Sequence, residues 1–187
     1  MPDTTAAKRR LVEIVKQRSF SIGGETRLVS GRATSFYFDM KPSMLHPEGA
    51  ELMAALILDA LQGTDVELVG GMEIGAVPLA AAVAVMSQVR GRPLQAFFVR
   101  KQPKEHGARK LIEGLAPGES LQGKRVAILE DVTTTGGSSL KAIEAVQAAG
   151  ATIVRIITVI DRLEGAEATF QKAGIPFTPI LTAADFR

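Results

Sequence analysis

Five short apolar runs punctuate the chain from residue 66 onward: "VELVGG", "LQAFFV", "KRVAILE", "ATIVRIITVID" and "PFTPILT". Three of the four intervals between them carry a helical pattern: "GAVPLAAAVAVMSQV", "SSLKAIEAVQAAG" and "AEATFQKAG". Short, continuously apolar strands are buried on both faces, and parallel neighbours need a long crossover, usually a helix. The alternation therefore predicts βαβ units and a parallel sheet with helices on both faces. The remaining elements precede it. Ala6 to Gln17 reads as a helix with Leu11, Ile14 and Val15 on one face. "FSIGGETRLVSGRATSFYFD" reads as a strand hairpin turning at Gly23-Gly24. Pro47 to Leu61 reads as a helix entered at His46 and stopped at Gly63. No repeat, linker or low-complexity tract interrupts the 187 residues, so a single domain is expected.

Composition narrows the classes. The chain is 46% hydrophobic, as a folded core requires, and has no cysteine, which excludes disulfide and thiolate chemistry. The formal charge of +2 is too small to argue for a nucleic-acid partner. The N-terminal segment lacks an apolar stretch of signal-peptide length, and runs such as "AVPLAAAVAVM" are too short to span a bilayer. These features predict a soluble cytoplasmic protein without a membrane partner.

"AILEDVTTTGGSSL", Ala127 to Leu140, carries the clearest chemistry. A buried strand runs into two acids, Glu130 and Asp131. A turn of Thr133, Thr134, Thr135, Gly136 and Gly137 follows, and a helix is expected to begin near Ser138 or Ser139. In open parallel sheets, ligands bind at the carboxyl ends of the strands. The first turn of the helix offers unpaired N–H groups and the positive end of its dipole. Glycines allow close approach, and hydroxyls add donors, so the turn is a phosphate cradle. It is neither a Walker loop nor a dinucleotide fingerprint. The acids would repel a phosphate, so they are expected to face neutral donors or a metal. Vicinal ribose hydroxyls suit them, and the ligand described is a ribose 5-phosphate moiety. "VRKQPKEHGARK", Val99 to Lys110, supplies the opposite charge, with Arg100, Lys101, Lys104, His106, Arg109 and Lys110 against Glu105 alone. It reads as a mobile loop, either a solvated surface or an anion clamp.

"VAILEDVTTTGGS" resembles the phosphoribosyl-diphosphate motif of the type I phosphoribosyltransferases. "RKQPKEHG" resembles the catalytic loop of the orotate branch of that family. "SGRATSFYFDMK" resembles its N-terminal segment, and "IDRLEG" its Asp-Arg segment. The resemblance spans about residues 20 to 164. It implies a type I phosphoribosyltransferase-like fold, with a small N-terminal hood over about residues 1–45 and the core in the remainder of 1–187. It also implies transfer of the phosphoribosyl group of 5-phosphoribosyl 1-diphosphate (PRPP) to orotate, giving orotidine 5′-monophosphate and diphosphate in pyrimidine synthesis. Another nucleobase as acceptor, or a non-catalytic regulator on the same fold, are the alternatives.

The same resemblance implies site roles. PRPP falls to Arg100, Lys101, Lys104, His106, Glu130, Asp131, Val132, Thr133, Thr134, Thr135, Gly136, Gly137 and Ser138. Lys104, His106 and Asp131 take the catalytic roles. Orotate falls to Tyr37, Phe38, Thr134 and Arg162. Tyr37 and Phe38 alternate in a strand, so either could be core, and Arg162 could instead pair with Glu164. Magnesium is expected as cofactor, held mainly by PRPP with no direct protein ligand. A homodimer is expected in which the 100–110 loop reaches the neighbouring site. Two positions depart from the family pattern. Val29 stands where many relatives carry a basic residue, with Arg27 and Arg32 as replacements. Glu73, in "GGMEIGAVP", stands in a loop that brings a lysine to the diphosphate in some relatives. If that loop binds the diphosphate at all, it is therefore expected to act through backbone N–H groups.

Overall fold

A computed structural model of the chain describes residues 4–27, 33–102 and 111–187, with the backbone alone for 23–27 and 33–35. The 100–110 loop beyond Gln102, with Lys104, His106, Arg109 and Lys110, lies outside the described residues, as do Val29 and Arg32.

Six strands form the central sheet: β3 (Leu68–Met72), β4 (Gln95–Val99), β5 (Ile112–Glu113), β6 (Arg125–Thr133), β7 (Thr152–Asp161) and β8 (Phe177–Thr182). Their order is β5-β4-β3-β6-β7-β8, all parallel except the β4–β5 pair. All five apolar runs thus enter one sheet. The added edge strand β5 has only two residues, too short for periodicity to reveal.

Helices cover both faces, as expected, and β6 shows why. Ala127 and Leu129 join the core beneath α3 (Pro47–Ala60) and α4 (Ala76–Val89). Val126 and Ile128 join the core beneath α5 (Gly137–Ala148) and α6 (Ala166–Lys172). Successive side chains point to opposite faces, so one apolar run fills two cores. Gly71 is required here, because a Cβ would run into the Leu129 carbonyl of the neighbouring strand. The uncharged helix α4 buries Leu79, Ala80 and Val83 but leaves Val85 and Val89 exposed on its outer side.

The N-terminal elements are α1 (Thr4–Arg18), β1 (Phe20–Arg27), β2 (Ala33–Phe38) and the one-turn α2 (Lys41–Met44). β1 and β2 form an antiparallel hairpin, but its turn is not Gly23-Gly24. Those glycines lie inside β1, where the register shifts between Ile22 and Thr26. Glycine in a strand serves a break in register as readily as a turn, and here the strand pairing shifts across it. Phe20, Phe36, Phe38 and Phe186 then cluster, with centroids 4.9–6.3 Å apart. The cluster fixes the hairpin against the C-terminal 3₁₀ turn, Ala183–Phe186. Entry to α3 is at His46, with Pro47 at the first helical position, and Gly63 beyond its end has φ +72°.

Candidate active site

Because β3, β4, β6 and β7 are parallel, the segments after Met72, Val99, Thr133 and Asp161 leave the sheet at one edge. The two acids sit short of that edge, still within the strand. β6 does not end at Glu130 but runs on to Thr133, paired through Val132↔Ile160 and Thr133↔Asp161. The long apolar strand β7 carries its neighbour further than the two charges suggest.

Pairing sends Glu130 and Asp131 to opposite sides. Glu130 is 7% exposed, and Ser139 Oγ donates to its Oε2 at 2.8 Å. Burial, then the Asp131 charge, push the Glu130 carboxyl up to about 8; Ser139 and the nearby Lys101 charge oppose that rise. Asp131 Oδ1 accepts the Val132 N–H at 2.9 Å, and burial raises its pKa as well. Gly75 packs directly on Asp131, where a Cβ would lie 2.5 Å from Oδ1. Ser139 and Gly75 both escaped the motif reading. Ser139 could have been found as the third residue of the helix, on the side facing the strand.

The turn itself is shaped by glycine. Gly136, at φ +87°, is the N-cap of α5, and a Cβ there would meet Phe170 Cζ at 2.7 Å. The helix starts at Gly137, a residue or two earlier than expected. No side chain caps it, so its first N–H groups face outward. Ser138 and Thr135 are exposed, and Val132 and Thr134 half-buried. Thr133 departs from the expected cradle. It is 2% exposed, and its Oγ1 has no hydrogen-bond partner among the described residues. Its strand position, pairing with Asp161, turns it inward.

Basic residues meet this turn in one cavity of about 270 Å³. Arg100 and Lys101 line it with Ser138 and Lys141, over Met72, Val99 and Leu111. Arg100 Nε donates to the Gln102 carbonyl at 3.1 Å, and its NH1 lies 3.9 Å from Glu113. Lys141 was missed, since it reads as an ordinary surface residue of α5.

The aromatic candidates separate. Tyr37 is 41% exposed, whereas Phe38 is 5% exposed and packs into the aromatic cluster. Phe38 is thus a core ring in this structure, as strand alternation allowed. Phe36, on the same side as Phe38, approaches the site instead: Arg162 Cζ lies 4.8 Å from its ring centroid. Arg162 is buried, and its NH2 pairs with Glu164 Oε1 at 2.9 Å. The Glu164 pair is therefore made, with the guanidinium still bridging the hairpin and the end of β7. Glu73 is also clarified. Its N–H is taken by the Val99 carbonyl at 2.8 Å, so that donor is not offered to a ligand.

Among the described residues, no group of three or more acidic or histidine side chains could cage a metal ion. No helix among them is long and apolar enough to cross a membrane.

Comparison with known proteins agrees with this geometry. The phosphoribosyl transferase domain model matches residues 43–175. Orotate phosphoribosyltransferase from Bradyrhizobium diazoefficiens is 54% identical over 182 residues, covering 97% of each chain. The Sorangium cellulosum protein of the same name is 46% identical, covering 96% of this chain and 92% of that one. Among solved structures, Mycobacterium tuberculosis orotate phosphoribosyltransferase in complex with PRPP superposes with a TM-score of 0.78. It is 34% identical and covers 96% of this chain and 98% of that one.

Proposed function

The chain belongs to the orotate phosphoribosyltransferases of the phosphoribosyltransferase family, and from that membership we propose how its residues share the reaction. It is a pentosyltransferase that transfers the phosphoribosyl group of PRPP to orotate, releasing diphosphate, in pyrimidine synthesis. One observation carries the assignment of parts. The acid pair, the left-handed turn into α5 and the cationic root of the 100–110 loop stand together at one sheet edge.

The 5-phosphate lies on the first turn of α5, with donors from Thr134, Thr135 and Ser138 and from backbone N–H groups. Glu130 and Asp131 accept from the ribose hydroxyls. Arg100 and Lys101, with Lys104 and His106 further along the loop, neutralise the diphosphate. During transfer the bond from ribose C1 to the diphosphate oxygen breaks, a bond from C1 to the orotate nitrogen forms, and the proton that nitrogen carried leaves to solvent or to the departing diphosphate. Positive charge builds on the ribose and negative charge on the leaving diphosphate. Asp131 stabilises the first and the loop cations the second, by preorganised electrostatics. Orotate, a flat anion, sits against Tyr37 and Phe36, with Arg162 facing its carboxylate and Glu164 holding the guanidinium plane.

The two acids are too few donors to hold a resident magnesium ion, and they suit one that arrives on the diphosphate and ribose oxygens. Such an ion supplies further electrostatic stabilisation of the leaving group. A homodimer completes the reading, and the uncharged outer side of α4 offers a second copy apolar surface to cover.

Orotate consumption followed by absorbance, with PRPP and magnesium and with uracil, adenine and hypoxanthine in parallel, tests the activity. Turnover of orotate alone is expected; preference for a purine or uracil would overturn it. Arg162→Ala is expected to weaken orotate binding by about tenfold, one charge-assisted contact, and to leave PRPP binding unchanged. Calorimetric titration of each substrate measures both, and an equal loss for the two would make Arg162 purely structural.

A further inference from the structure

Glu73 joins the two segments that leave the sheet beside the cationic cavity. β3 and β4 pair up to Met72↔Val99, and one more ladder bond follows, Glu73 N–H to the Val99 carbonyl. The chain then departs, and the Glu73 side chain reaches across to β4's continuation. Its Oε1 accepts the Lys101 N–H at 2.9 Å. The preceding residue is held from the other side, since Arg100 N–H donates to the Leu111 carbonyl at 2.8 Å. The root of the basic loop is therefore fixed by two consecutive amides, one bound to the returning strand and one to a carboxylate.

A carboxylate is a poor neighbour for a diphosphate, so its place next to two residues of this cavity's lining, Met72 and Lys101, needs a reason. Bonding a backbone amide uses its charge locally: a carboxylate accepting an N–H makes one of the stronger hydrogen bonds available. The amide it holds belongs to Lys101, which lines the cavity with Arg100 and Ser138 and whose charge favours ionised Glu130. Moving that amide would move a cation relative to both the acid pair and the phosphate turn.

We propose that Glu73 is a positioning residue that sets the root of the 100–110 loop, and so the placement of Lys101, without touching substrate. The inference rests on the reading that this loop binds the PRPP diphosphate. It requires that losing Glu73 damages the use of PRPP and not that of orotate.

Full-length Glu73→Ala and Glu73→Gln decide the matter. Glu73→Ala is expected to lower kcat/KM for PRPP roughly tenfold, as loss of one charge-assisted hydrogen bond should. KM for orotate should stay within about twofold. Glu73→Gln keeps an acceptor oxygen on a stem of equal length without the charge and should restore part of the loss. Exchange of the Lys101 amide with deuterium should quicken in Glu73→Ala and remain slow in Glu73→Gln. The inference is overturned if Glu73→Ala matches wild type on PRPP, if both substrates suffer equally, or if Glu73→Gln is as damaged as Glu73→Ala. Lys101 exchange and calorimetric binding of magnesium diphosphate are read without turnover. If wild type fails to use orotate, the functional reading fails, while these two measurements still judge Glu73.

Discussion

Glu130 lies 7% exposed between β6 and α5, with Ser139 as its hydrogen-bond donor and Asp131 as the next residue. Its carboxyl is pushed from an ordinary value of 4.5 up to about 8, by burial first and by the Asp131 charge second. The folded protein thus holds this proton more tightly than the unfolded chain. Stability is expected to fall as pH rises through that interval and to level off above about 8. Glu130→Gln imitates the protonated acid at every pH. Its melting temperature should lie close to wild type at low pH and above it at high pH, as differential scanning calorimetry across the interval would show. A constant difference at all pH values would mean that Glu130 does not titrate there. Glu130 and Asp131 were legible as a pair because two acids interrupt an apolar strand. Their unequal environments were not, since those depend on Ser139 and Gly75, from other elements.

Among the elements, the β6–α5 turn is the most constrained. Gly136 combines a left-handed backbone with a Phe170 ring that stands where a Cβ would go. Gly136→Ala therefore meets two penalties, about 1–2 kcal/mol for the left-handed conformation and a further steric cost against α6. Melting should drop by roughly 4–8 °C for a loss near 2 kcal/mol in a domain of this size. PRPP affinity should fall too, because the first turn of α5 shifts. Melting curves by circular dichroism would show the first effect, and an unchanged midpoint would overturn this account of Gly136. The hairpin teaches the complementary lesson. Gly23-Gly24 carries a turn signal, yet the pairing of Phe20 with Phe38 and Ile22 with Phe36 places it within a strand. Packing of Phe20 and Phe38 on Phe186 fixes that register and overrides the local turn signal.

For the whole molecule, the proposed homodimer makes a quantitative claim. If the 100–110 loop closes over the neighbouring subunit's site, Lys104→Ala and Asp131→Asn damage different halves of one site. Each variant alone should be nearly inactive. Mixing them with subunit exchange gives about half heterodimers, each with one intact site of two, under two-fold symmetry. Activity should climb toward roughly a quarter of wild type by that count. No recovery, with exchange verified by native mass spectrometry, would place the loop over its own subunit.

The strand and helix order, the parallel sheet and the glycine-hydroxyl turn before α5 were determined by the sequence alone. They rest on local quantities: apolar run length, helical period, and glycine and hydroxyl placement. Tertiary structure decided what local pattern cannot hold. It carried β6 past its acids by pairing with β7, and gave the sheet its short antiparallel edge β5. It turned Phe38 into the core and brought Phe36 to Arg162. It also laid Glu73 against an amide 28 residues away. Each of these is a contact between segments distant in sequence, settled by which surfaces bury together and which polar groups must then find partners.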